Sequence, residues 1–224
     1  MREIVLDTET TGLDPASGDR IVEIGAVELI NHLPTEEVHH IYINPQRDMP
    51  EGAFAVHGLS KEFLADKPVF ADVADAFVDF VGDADLVIHN AEFDMKFLDF
   101  EFGLMGKTAL SENRVIDTLV MARRKFPGSP ANLDALCRRF QIDLSDRSLH
   151  GALKDARLLG EVYLELIGGR QTDLALAREA AQAPTAAQAA TGNQRAARPH
   201  APSAEEEARH AAFLEKLKNP LWSA

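Results

Sequence analysis

Residues 4–12 read IVLDTETTG. Ile4, Val5 and Leu6 make a short aliphatic run of the kind a buried strand needs, and Asp7 and Glu9 follow where that strand should finish. In an extended chain, residues two apart point to one face and lie about 7 Å apart, so Asp7 and Glu9 project together. D-x-E is a common tripeptide, and a solvated strand end accounts for it as readily as chemistry does. What sets this pair apart is its place at the end of an apolar strand that should be central to a sheet.

Outward from that stretch, aliphatic runs at residues 21–27, extended by 28–30, and at 38–43 are separated by Gly, Pro, Asp and Asn. Three strands in such quick succession are expected to be antiparallel neighbours. The rhythm then changes. FADVADAFVDFV (70–81) has a helical period, DLVIH (85–89) reads as a buried strand, EFDMKFLDFEFGLM (92–105) as a helix, RVID (114–117) as a strand and NLDALCRRF (132–140) as a helix. An amphipathic helix from Gly151 to Ile167, stopped by Gly168 and Gly169, closes a domain spanning 1–169. The expected class is α/β: a mixed sheet, with antiparallel strands 1–3 followed by parallel strands, flanked by helices.

The chain has 224 residues, one cysteine and a formal net charge of −13 at pH 7. Cys137, beside Leu136 in LDALCRRF, reads as a small buried hydrophobe, and no internal disulfide is available. With no signal-peptide pattern and no apolar run of spanning length, a cytoplasmic location is expected. The acidic balance argues against broad electrostatic adhesion to nucleic acid or anionic lipid.

Residues 177–202 contain no Leu, Ile, Val, Phe or Met and are broken by Pro184, Pro199 and Pro202. Such a segment cannot bury enough to order itself, and as a coil its reach is on the order of 25 to 30 Å. It is expected to be a flexible tether. Beyond it, in 203–224, Ser203 and Glu206 have capping-box spacing, and Phe213, Leu214, Leu217 and Leu221 form one apolar stripe. This is a docking helix in form, or a tail that touches its own domain.

Two more acids stand near strand-to-helix junctions or helix starts: Asp94 in HNAEFD and Asp155 in HGALKDA. Two unit charges about 4 Å apart repel by roughly 4 kcal/mol at an effective dielectric near 20. Either the four carboxylates do not converge, or they hold cations. Oxygen-only ligation suits Mg²⁺ or Mn²⁺, and a pair of such ions suits in-line displacement at phosphorus. His150 lies five residues before Asp155, which on one helix would separate them by about 140°, so it is expected in the preceding loop. There it is either a general base leaning over the site or a histidine that caps the helix.

DTETTG (7–12), VHGL (56–59), HNAEFD (89–94) and HGALKDA (150–156) occur in the order and spacing of the DnaQ-like 3′-to-5′ exonucleases, the four-acid-plus-histidine class. The resemblance runs from Met1 to about Gly169 and includes EIGAVE and FLADKP; within the class the chain resembles the proofreading epsilon subunits of bacterial DNA polymerase III. It implies an RNase H-like fold, Asp7, Glu9, Asp94 and Asp155 as ligands of two divalent cations, and His150 as general base. It further implies that Thr10, Gly12, Leu13, His57, Asn90 and Phe93 line a pocket for the terminal nucleotide of a DNA 3′ end. His57 also suits an ordinary turn, and Phe93 an ordinary core position, since Phe97 and Phe100 continue its stripe. QTDLAL (171–176) resembles the short sliding-clamp-binding peptides, through Gln171, Leu174 and Leu176, within the segment 170–176. The C-terminal helix resembles the segment through which these subunits dock on the polymerase III alpha subunit. Two rival readings stand beside this one: a free-standing 3′-to-5′ exoribonuclease of the same superfamily, and a non-catalytic subunit linking clamp and polymerase.

Overall fold

The structure is a computed structural model that describes residues 1–107, 110, 114–145, 149–168 and 201–216. The described residues belong to two units, one within 1–168 and one within 201–216.

The first unit is built on a five-stranded sheet in the order β3-β2-β1-β4-β5. β1 (Arg2–Thr10) pairs antiparallel with β2 (Ile21–Ile30), which pairs antiparallel with β3 (Leu33–Tyr42). On the other side β1 pairs parallel with β4 (Asp85–Ile88), and β4 with β5 (Val115–Asp117). The mixed sheet is the one expected. β1 does not finish at its carboxylates, however: its ladder with β2 continues through Asp7 and Glu9 to Thr10, while its parallel ladder with β4 stops at Leu6 and Ile88. From Asp7 onward one edge of the central strand is therefore uncovered. This lies outside the carboxyl end of a parallel strand, where the strand order switches direction, and open α/β sheets bind ligands at such points.

The side-chain alternation of β1 divides the core. Ile4 and Leu6 pack beneath α3 (Phe70–Val81) and α4 (Ala91–Leu104), with Phe77, Phe97 and Phe102 all but fully buried. Val5 packs on the opposite face against α7 (Ala152–Ile167) and α6 (Leu133–Phe140), with Leu136, Cys137, Leu159 and Val162. Each fully buried aliphatic or Phe side chain contributes roughly 1.5–3 kcal/mol, and on both faces that weight presses helices against β1.

Three short helices escape the sequence periodicity: α1 (Glu51–His57), α2 (Lys61–Leu64) and α5 (Thr118–Lys125). α1 and α2 are two turns or fewer, too short to show a period. α1 ends on Gly58, whose φ of 72° is left-handed, so VHGL is a helix C-terminus. α5 starts directly from β5, capped by Asp117.

The second unit is α8 (Ala204–Leu214), with both halves of the expected capping box: the Glu206 amide donates to Ser203 Oγ at 3.3 Å, and the Ser203 amide to Glu206 Oε2 at 2.8 Å. Leu217, Leu221, Gln171, Leu174 and Leu176 lie outside the described residues, as does the tether up to residue 200. No helix among the described residues is long and apolar enough to cross a membrane.

Candidate active site

The uncovered end of β1 receives an acid from each helical layer. On the α7 face, Asp7 stands opposite Gly25 of β2, and Glu9 opposite Glu23. A Cβ on Gly25 would lie 2.1 Å from the Leu153 amide nitrogen and 2.2 Å from the Ala152 carbonyl carbon. Only glycine lets the first turn of α7 rest on the sheet there. That turn carries Asp155, and ligating atoms of Glu9, Asp155 and His150 all lie within 4.8 Å of one another. From the α4 face comes Asp94, in the first turn, accepting a hydrogen bond from Thr8 Oγ1 at 2.7 Å.

The charges of the other three acids all act on Asp7, so the four share one neighbourhood. Burial, then the charges of Asp94, Glu9, Asp155 and Glu23, hold the Asp7 carboxyl well above its ordinary range. Burial pushes Asp94 up to about 7, against hydrogen bonds from the Thr8 hydroxyl and nearby amides, while the charge of Asp117 adds to the rise. Of the two alternatives that the sequence left open, this arrangement favours convergence, with Glu9 and Asp155 near enough to share one ion and the charges of Asp94, Glu9 and Asp155 acting on Asp7. Carboxylates offering only oxygen, with Glu9, Asp94 and Asp155 buried and Asp7 half-buried, are the donor set that hard divalent cations select. Protons or cations must neutralise it.

His150 lies in the loop before α7, as its spacing from Asp155 required. Its amide donates to the Val56 carbonyl at 3.1 Å, and its ring Nδ1 is 3.0 Å from Asp155 Oδ2. The side chain is 49% exposed, at the edge of the site rather than within it. The Val56 contact ties this loop to the end of α1.

Beside the acids lies a cavity of about 450 Å³, walled by Glu9, Thr10, Gly12, Leu13, His57 and Phe93, together with Ala53 and Val56 of α1. Five of the six residues expected around the nucleotide thus share one cavity. The sixth, Asn90, is not in its wall: it is exposed and left-handed (φ 62°), turning the chain from β4 into α4. Leu13 is 80% exposed at the cavity mouth. His57 is buried, accepts from the Leu59 amide through Nδ1 at 3.0 Å, and burial holds its imidazole below the usual value. Phe93 both lines the cavity and packs on Phe97, ring centroids 5.0 Å apart. Gly12 has a reason unrelated to any ligand, since a Cβ there would lie 2.2 Å from Asp19 Oδ2. That carboxylate staples the loop by accepting from the Asp14 amide, Thr11 Oγ1 and Arg47. A larger groove of about 610 Å³ lies between the β2–β3 hairpin and α7 and includes none of these residues.

Several supporting residues escaped the sequence reading. Asp117 accepts from the Leu119 and Val120 amides, capping α5, and from the Ala91 amide at 3.2 Å, which pins the start of α4 and hence Asp94. An Asp between a strand and a helix is a recognisable N-cap signal; the contact to α4 leaves no trace in sequence. Thr8 lies in DTETTG and Gly25 in EIGAVE, yet nothing local marks their roles. The Arg20 guanidinium forks onto Glu101 of α4, at 2.7 and 2.5 Å, and fixes the far end of the loop after β1.

The chain matches the family model described as exonuclease over residues 4–163. It is 60% identical over 175 residues to the DNA polymerase III subunit epsilon of Rickettsia conorii, covering 77% of this chain and 76% of that one. With the Salmonella typhimurium subunit of the same name, identity is 52% over 185 residues, 80% of this chain and 76% of the relative. Among solved structures, exonuclease X in complex with 5′ overhanging duplex DNA matches with a TM-score of 0.60 and 27% identity, over 74% of this chain and 90% of its own. The matched span holds all four acids and His150, and with identities this high over three quarters of both chains it follows that this chain belongs to the exonuclease family, among the DNA polymerase III epsilon subunits.

Proposed function

We propose that this protein is the proofreading 3′-to-5′ exonuclease of a bacterial replicative polymerase, removing mispaired 3′-terminal nucleotides from DNA and releasing nucleoside 5′-monophosphates. The observation that supports it most directly is the grouping of Glu9, Asp155 and His150 at the open end of β1, with Asp7 under the charges of Glu9, Asp94 and Asp155, beside a cavity of about 450 Å³. Asp7, Glu9, Asp94 and Asp155 would hold two divalent cations, Mg²⁺ or Mn²⁺, which when bound polarise the phosphate and lower the pKa of an attacking water.

The residues themselves do the rest. His150, held beside the acids by the contact of Nδ1 with Asp155, accepts the proton as water oxygen bonds to phosphorus. The bond from phosphorus to the 3′ oxygen breaks, and that oxygen leaves as a hydroxyl after taking a proton from solvent. Leu13, with Phe93 and Val56, offers apolar surface to the terminal base, and Thr10, Gly12 and His57 complete the wall. Tethering supplies what a net charge of −13 does not: the substrate is brought by partners, the sliding clamp through Gln171, Leu174 and Leu176, and the polymerase III alpha subunit through the helix that begins after Ser203. The working organisation is thus an exonuclease domain (1–169), a clamp peptide (170–176), a linker (177–202) and a docking segment (203–224), in the cytoplasm.

Asp7→Ala or Asp155→Asn is expected to abolish divalent-dependent release of mononucleotides from single-stranded DNA while thermal unfolding stays cooperative; unchanged release overturns the enzyme assignment. Deleting 177–224 should preserve that release but end co-purification with the polymerase, and co-elution of the truncated chain would refute the docking role.

A further inference from the structure

Glu23 of β2 is a buried carboxylate for which the mechanism above has no use. It is 3% exposed and stands directly opposite Glu9 in the β1–β2 ladder. Opposite residues of an antiparallel pair point to the same face, with Cβ atoms about 5 Å apart, so Glu23 faces the side on which Asp7, Glu9 and Asp155 meet. Its charge is felt there, among those that raise the Asp7 carboxyl.

Like charges placed opposite one another oppose strand pairing, and a buried carboxylate persists only with a partner. The partner comes from the next strand: His40 Nε2 lies 2.7 Å from Glu23 Oε1. His40 is opposite Gly25, the residue under α7, and its ring packs edge-on against Tyr42 at 4.9 Å; Tyr42 in turn packs on Phe63 of α2 at 5.0 Å. Further along the same face β2 carries Val27 and Leu29, both buried hydrophobics. At Glu23 the chain instead keeps a braced carboxylate on the face that carries Asp7, Glu9 and Asp155.

We propose that Glu23, held by His40, is a positioning residue of the cation site. Its carboxylate occupies the β2 side of Glu9, directs the Glu9 carboxylate toward Asp155 and His150, and adds negative field that draws the divalent cations in. The gathering of Glu9 ligating atoms with those of Asp155 and His150, within 4.8 Å, is the geometry this requires. The inference rests on reading the four acids as that site.

The test is thermal unfolding of the full chain in chelator and across an Mn²⁺ titration, for wild type, Glu23→Gln, His40→Gln and the double variant, with mononucleotide release measured in parallel. Glu23→Gln should need on the order of tenfold more Mn²⁺ for half of its stabilisation and half of its activity, while the rate at saturating Mn²⁺ falls by less than about threefold. His40→Gln should shift the midpoint in the same direction but less, and the double variant no further than Glu23→Gln, because His40 acts through Glu23. A wild-type Mn²⁺ midpoint in Glu23→Gln, even with a lower melting temperature in chelator, overturns the proposal and leaves Glu23 purely structural. If Glu23→Gln fails to fold, Glu23→Asp, which keeps the charge but draws it back one methylene, should still raise the midpoint; an unchanged midpoint there overturns it equally. A wild-type protein indifferent to Mn²⁺ would overturn the cation-site reading itself.

Discussion

Gly25→Ala is the smallest change that should disable the site without touching any acid. The added methyl would lie 2.1 Å from the Leu153 amide nitrogen and 2.2 Å from the Ala152 carbonyl carbon, both backbone atoms that no side-chain rotation can clear. Restoring a contact of about 3.5 Å requires the first turn of α7 to withdraw by about 1.4 Å. Asp155 sits in that turn and His150 immediately before the helix, so both retreat from Glu9. A misplacement of about 1 Å in a reacting constellation costs on the order of 100-fold in rate, and overpacking of this kind costs about 1–3 kcal/mol of stability. For a unit of this size that lowers the melting temperature by roughly 2–4 °C per kcal/mol. Mononucleotide release from a single-stranded oligonucleotide at saturating Mn²⁺, with thermal unfolding in parallel, reads both effects. Gly103→Ala, in α4, where an added Cβ meets nothing within 4 Å, is the control and should leave both unchanged or raise stability slightly. Gly25→Ala with activity within about threefold of wild type would refute the reasoning, since it would mean that α7 can leave the sheet without disturbing Asp155.

Two further outcomes follow from the acids. Asp7 and Asp94 have folded-state pKa values raised above the unfolded range, Asp94 to about 7. The folded state therefore binds more protons, and stability in chelator must fall as pH rises from about 4 through 7. Melting temperature in chelator should be higher at pH 5.5 than at pH 8, with divalent ions restoring it mainly at pH 8; a flat or rising profile in chelator would contradict the convergence. Thr8→Val removes the hydroxyl that donates to Asp94 at 2.7 Å. With that hydrogen bond gone, stability should drop by about 1–3 kcal/mol, and the Mn²⁺ concentration for half-maximal activity should rise; a variant with wild-type metal dependence would show that Thr8 does not orient the acid.

Much of this molecule is legible in its residue order, because the signals are local. Period-two and period-3.6 alternation name the strands and the longer helices, the Ser203 and Glu206 spacing announces a cap, and Asp7 and Glu9 must share a face once Ile4 to Leu6 is a strand. His150 could be placed ahead of α7 from helical geometry alone. The short helices α1 and α2 have too few turns to show a period, and α5 is hidden because it follows β5 with no loop.

The elements of the site are carried in four short motifs, and residue order alone is enough to say which acids are present and that two of them lie side by side. Their meeting is a different matter, because it depends on contacts between segments far apart in the chain. β1 runs on past the end of β4 because β2 continues to pair with it, which leaves Asp7 and Glu9 on an open edge. α7 comes down onto that edge because residue 25 has no side chain, and α4 is held there by Thr8 and Asp117. The same holds for Gly12, whose missing Cβ makes room for Asp19, and for Glu23, an unremarkable letter in EIGAVE until pairing sets it against Glu9. Backbone alternation is a property of neighbours in sequence; the convergence of charge is a property of neighbours in space, and only packing brings those together.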